Sequence, residues 1–90
     1  MNFKDTVKIP PDVMARQVGD ETVILDLASG NYFGLDPVGA RIWQLIGEGK
    51  PLEAVCETLL DEYEVSAEQA REDLARLVGQ LQAQGLVSIA

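Results

Sequence analysis

The chain contains no histidine and a single cysteine, Cys56. Without histidine it lacks the commonest general base and the commonest metal ligand, and no Ser-His or Cys-His pair can be assembled. One cysteine permits no disulfide within the chain and no cysteine-based metal cluster. Carboxylates alone are left for acid–base work, and the sequence carries no glycine-rich phosphate loop and no nucleophile beside a base. The expectation is a protein that is not an enzyme, with no catalytic residue, no metal and no cofactor. Apolar runs last only a few residues, so none can span a bilayer. The amino-terminal MNFKDTVKIPPD has no apolar signal-peptide segment. The expected location is the cytoplasm, with no membrane partner.

Bases are scarce too. Seven Lys and Arg stand against fifteen Asp and Glu, a formal net charge of −8. Residues 1–41 carry six acids and four bases, and residues 42–90 carry nine acids and three bases. Affinity for nucleic acid draws heavily on phosphate neutralisation by Lys and Arg. The acidic second half repels a duplex, whereas a cationic or apolar peptide is readily accommodated.

What remains is a folded composition, 47% hydrophobic and 24% charged over 90 residues, which fits one small domain, residues 1–90. Residues 1–10 read as an extended lead-in that stops at Pro10-Pro11. DVMARQV, Asp12 to Val18, alternates as a strand does. After the Gly19-Asp20 turn, ETVILDLA places Val23, Leu25 and Leu27 on one face and Ile24 and Asp26 on the other. Ser29-Gly30-Asn31 is a second turn, and Tyr32-Phe33-Gly34-Leu35 is a short third strand. Three such strands form an antiparallel meander.

The hydrophobic period then changes from 2 to 3.6. Asp36-Pro37 is an N-cap followed by proline at the first helical position. Val38, Ile42, Leu45 and Ile46 form that helix's stripe, with Trp43 on its flank and Gly47 or Gly49 as its stop. A second helix begins near Pro51, with Leu52, Val55, Cys56, Leu59, Leu60 and Tyr63 on one face. The third begins at Ser66, where SAEQ fits a capping box in which Gln69 reaches back. Ala67, Ala70, Leu74, Leu77, Val78 and Leu81 are its apolar face, Gly85 ends it, and LVSI adds a possible terminal strand. The fold class is α+β, a three-stranded antiparallel sheet followed by three helices (β-β-β-α-α-α), the parts of a winged helix-turn-helix.

The stretch ILDLASGNYFGLDPVGARIWQLI resembles the PqqD-like family, the leader-peptide recognition elements of ribosomally made, enzyme-modified peptides. The residues that carry the resemblance are Leu25 to Leu27, Gly30-Asn31, Tyr32, Phe33, Leu35, Asp36, Gly39, Ile42, Trp43 and Leu45. It extends over roughly residues 12–89 and is nearest the stand-alone leader-binding proteins of lasso-peptide biosynthesis. The turn lacks an acidic first residue, and Asp36 stands where many members carry Asn; both bear on which leader is accepted. The resemblance implies a non-catalytic module in which the leader joins the third strand, Asn31 to Leu35, as a fourth antiparallel strand. The other wall of that groove would be the helix from Ser66 to Gln84. It also implies a precursor peptide as partner, with a processing enzyme beside it. That enzyme would be a cysteine-protease-like leader peptidase in the lasso case, or a radical enzyme in a pyrroloquinoline-quinone-like system.

Independently of the family, Tyr32 to Leu35 carries neither the charge nor the proline that usually blunts a sheet edge. Main-chain bonds to an added strand would supply affinity there, and Gly34 would admit a close approach. The alternative is that the chain's own carboxy-terminal segment covers this edge. The candidate peptide-binding residues are Asn31, Tyr32, Phe33, Gly34 and Leu35 on the strand, and Arg71, Asp73, Leu74, Leu77 and Val78 on the third helix. Leu74, like Leu81 outside this set, sits centrally enough to be core, while Leu77 and Val78 lie on opposite flanks of the helix and Arg71 and Asp73 lie on those same flanks. A competing reading is a winged-helix DNA-binding transcription regulator. Its reading helix would carry Glu68, Glu72 and Asp73 against Arg71 and Arg76, a poor surface for phosphate. No nucleic-acid partner is therefore expected.

Overall fold

A computed structural model describes residues 2–89. In chain order its elements are β1 (Val7–Lys8), β2 (Val13–Val18), β3 (Glu21–Asp26), β4 (Tyr32–Leu35), α1 (Pro37–Gly47), α2 (Leu52–Glu62), α3 (Ala67–Ala83) and β5 (Ser88–Ile89). β2, β3 and β4 form the antiparallel meander, and three helices follow it. The α+β reading from sequence therefore holds, with a two-stranded β1–β5 ribbon added.

The loop between β3 and β4 is built around Asp26. Its carboxylate accepts the Ala28 N–H at 3.0 Å and the Ser29 hydroxyl at 2.7 Å, an aspartate turn of the usual kind. The Gly30 N–H donates to the Asp26 carbonyl at 2.8 Å, and Gly30 sits at φ +79°, a left-handed position that glycine occupies without strain. Register follows from this closure: Asp26 opposes Val13 in β2, and Leu25 opposes Tyr32 in β4.

Side chains alternate across the sheet. Ile24, fully buried, belongs to the face that meets the helices, together with Val13 and Leu35. Val23 and Leu25 lie on the other face, half-buried, and Leu27 stands exposed in the loop. The face grouping read from sequence was right, but its smaller apolar set is the one that reaches the core.

The caps of α1 and α3 form as their residues dictate. Asp36 accepts the Gly39 N–H at 2.7 Å, and Ser66 accepts the Gln69 N–H at 3.1 Å. The expected capping box is only half made, because the Gln69 amide turns forward to donate to Asp73 at 2.9 Å. Gly49 and Gly85, both left-handed, follow α1 and α3. Tyr63 lies one residue past α2 with extended backbone and still packs on the core.

α2 has no side-chain cap, since Pro51 precedes it. The amino-terminal arm caps it instead: the Leu52 and Glu53 N–H groups donate to the carbonyls of Asp5 (3.0 Å) and Phe3 (2.7 Å). The same arm buries Val7 and pairs it with Ile89. The lead-in is thus an integral part of the fold. Ile42, Leu45 and Ile46 of α1, Leu52 and Val55 of α2, and Leu74, Val78 and Leu81 of α3 complete the core beside Ile24, with Trp43 and Cys56 also buried. At the helical periphery Arg41 makes a paired bond to Glu62 (2.8 and 2.6 Å). Those bonds hold the Glu62 carboxyl below its ordinary range and raise Arg41.

Removal of residues 1–9 takes away the Val7 burial and leaves two N–H groups of α2 without partners. The expected loss is about 2–4 kcal/mol of folding stability, read as a lower urea midpoint by circular dichroism. An unchanged midpoint would show that the arm is dispensable.

Candidate functional site

The hydrogen-bond parity of the sheet decides what its edge offers. In an antiparallel ladder, each residue directs its N–H and C=O to the same side, and successive residues alternate sides. The Asp26 N–H donates to the Asn31 carbonyl at 2.9 Å, and the Leu27 N–H to the Asp12 carbonyl at 2.9 Å. With the observed registers, Asn31, Phe33 and Leu35 spend their main-chain groups on β3. Tyr32 and Gly34 then point theirs away from β3. Among the described residues no strand pairs with that outer edge of β4, because the carboxy-terminal β5 lies against β1. Among the described residues the carboxy-terminal segment therefore does not cover the edge.

Beside that edge lies an open groove of about 400 Å³. Phe33, Gly34 and Leu35 of β4 line one side, continued by Asp36 at the cap of α1. Its floor is apolar, made by Val38 and Ile42 of α1, Leu59 of α2 and Tyr63. Val65 and Ala70 also line it, and Asp73, Arg76, Leu77 and Gln80 of α3 form the far wall. Val38 and Val65, two apolar side chains left substantially exposed, both belong to this groove. A cleft with an apolar floor, a polar far wall and an unpaired strand edge is suited to an extended peptide. Among the described residues no three His, Cys, Asp or Glu side chains cluster as a metal site.

The sequence-derived candidates divide accordingly. Phe33, Gly34, Leu35, Asp73 and Leu77 come together around the groove. Tyr32 sends its main chain to the free edge and its side chain, 73% exposed, onto the outer sheet face. Asn31 is exposed in the loop and bonds inward to Asp26. Leu74 and Val78 are fully buried among the helices. Arg71 opens into a separate cavity with Phe3, Lys4, Glu53 and Cys56. The flank of α3 that faces β4 is thus the one bearing Asp73, Leu77 and Gln80. Arg76, Gln80, Val38, Tyr63 and Val65 line the groove and were not among the candidates. The spacing of Asp73, Leu77 and Gln80 by four and three residues was the one available signal, and it needed a known flank to be useful.

Comparison with known proteins bears on the same surfaces. The family described as coenzyme PQQ synthesis protein D (PqqD) matches residues 21–87. The solved structure of TbiB1 in complex with the TbiA(beta) leader peptide superposes with a TM-score of 0.83 at 38% identity, covering 90% of this chain and 94% of that one. That of lasso peptide synthetase B1 complexed with the leader peptide gives 0.83 at 32% identity, covering 91% and 96%. No curated protein matches the chain.

The parity makes a prediction about proline. Gly34→Pro removes an N–H that faces away from β3, so the variant is expected to fold and to melt within a few degrees of wild type, as proline is admitted on edge strands. Phe33→Pro removes an N–H bonded to β3. It is expected to fall about 1–3 kcal/mol below Phe33→Ala, the control for the lost ring. Equal melting of Phe33→Pro and Phe33→Ala would overturn the assignment of the outward edge.

Proposed function

This chain belongs to the PqqD family, and from that premise we propose that it is a non-catalytic leader-peptide-binding protein. It takes the leader of a ribosomally made precursor as an antiparallel fourth strand on β4 and presents the attached peptide to a processing enzyme. The observation that carries the proposal is the unpaired β4 edge beside an apolar groove. Both solved relatives are structures with a leader peptide bound, which supports the same reading. The pathway it serves is lasso-peptide biosynthesis, where the receiving enzyme is a cysteine-protease-like leader peptidase. A radical enzyme would take that place in a pyrroloquinoline-quinone-like system.

Magnitudes favour a shared contribution from edge and groove. Tyr32 and Gly34 offer two donors and two acceptors, and four main-chain bonds contribute roughly 2–6 kcal/mol net. Micromolar affinity requires about 8 kcal/mol, and the guest also loses conformational freedom when it orders. One or two apolar side chains buried on Val38, Ile42, Leu59 and Tyr63, at about 1.5–3 kcal/mol each, supply the difference. Backbone bonds then set where the guest lies, while the groove sets which guest is held. Once tethered, the precursor meets its enzyme at a raised local concentration, and the protein itself makes and breaks no bond.

The test is binding of a labelled leader peptide, from the small open reading frame beside the gene, followed by fluorescence anisotropy. Wild type is expected to bind at submicromolar to low-micromolar concentration, and folded Gly34→Pro to bind about tenfold more weakly, the scale of the one edge donor it removes. No binding by folded wild type would sink the proposal for that peptide. Full binding by Gly34→Pro would remove strand addition.

A further inference from the structure

The polar wall of the groove treats its two charges unequally. Asp73 Oδ1 accepts both the Gln69 amide at 2.9 Å and the Arg76 guanidinium at 3.0 Å, so the carboxylate is held from the turn before and the turn after. Oδ2 receives no hydrogen bond from the described residues. The Asp73 side chain is 34% exposed, against 67% for Arg76. The anion is fixed and half-sheltered, with one oxygen open; the cation's head stands in solvent. A side chain already held in place loses little freedom when it gains a partner, whereas Arg76 would first have to be ordered.

The surrounding charges point the same way. The charged side chains lining the groove are Asp36, Asp73 and Arg76, one negative charge in excess, in a chain whose net charge is −8. Asp36 commits one oxygen to the Gly39 N–H and adds its charge from the opposite wall. A cationic guest side chain relieves this field, and an anionic one adds to it.

We infer that Asp73 is a specificity-determining residue, whose Oδ2 accepts the ammonium or guanidinium of a lysine or arginine in the bound strand. The inference rests on the leader-binding reading and deepens it. Side chains of an extended guest alternate, so those that face α3 recur at every second residue. The recognised pattern is therefore an apolar residue over Val38 and Leu77 and a basic residue an even number of positions away. Arg76 gives up or shares its bond to Asp73 at little cost, because an exposed ion pair contributes little.

The test uses two labelled probes, the TbiA(beta) leader peptide and the peptide encoded beside this gene, each with its basic residues changed singly to Glu. Anisotropy titrations compare wild type, Asp73→Asn and Asp73→Lys, all checked for fold by circular dichroism. At one basic position the change to Glu is expected to weaken wild-type binding about tenfold, the scale of a lost charge-assisted bond. Asp73→Asn should lose most of that discrimination, and Asp73→Lys should prefer the Glu peptide over its basic parent. Binding of the probes with no position whose preference inverts in Asp73→Lys would overturn the role of Asp73 and leave leader binding intact. Failure of both probes to bind folded wild type would remove the leader-binding reading, and this assignment with it.

Discussion

The outward-facing main chain of Tyr32 and Gly34 is the constraint on which the rest of this molecule turns. A sheet edge left open is a hazard for aggregation, and proteins ordinarily place charge, proline or another element over it. Here the neighbouring elements leave it free: β5 is spent on β1, and α3 lies far enough from β4 to leave a groove between them. The loop at Asp26 and Gly30 sets the register, and register in turn decides which two residues of β4 face outward. A shift of one residue would exchange the outward pair for Phe33 and Leu35 and turn the buried Leu35 side chain to the opposite face.

The helices serve that edge by holding the groove open. α1 starts at once after β4, capped by Asp36, so Val38 and Ile42 run along the floor. α2 is anchored by the amino-terminal arm, which brings Leu59 and Tyr63 to the same floor. α3 presents Asp73, Leu77 and Gln80 as a row on one flank while the adjacent stripe, Ala70, Leu74, Val78 and Leu81, fills the core. The arrangement shares the winged-helix order of elements without the electrostatics of a DNA reader. Its third helix carries an excess of acid, in a chain at −8.

Much of this was legible in the residues, because the relevant signals are local. Gly30-Asn31, Asp36-Pro37, Ser66 and Gly85 punctuate the chain, and the change of period after Leu35 separates sheet from helices. What was not legible is three-dimensional. The apolar arc of α3 is wide, and nothing along the chain says which flank meets β4. Arg71 and Arg76 look equivalent in sequence, yet they lie about 140° apart around the helix axis and open into different cavities. The Ile24 face could not be ranked above the Val23, Leu25 and Leu27 face, since one fully buried residue outweighs two that are half-buried and one, Leu27, that is exposed. The lead-in concealed its role for a related reason: capping by the carbonyls of Phe3 and Asp5 uses backbone atoms, which leave no mark on residue type.

Amide hydrogen exchange, resolved by residue and recorded with and without a bound leader peptide, tests the strand-addition account most directly. Phe33 and Leu35, already bonded to β3, should be protected in both states, whereas Tyr32 and Gly34 should exchange rapidly when free and slow sharply on binding. A leader that binds while the Tyr32 and Gly34 amides continue to exchange rapidly would contradict the account.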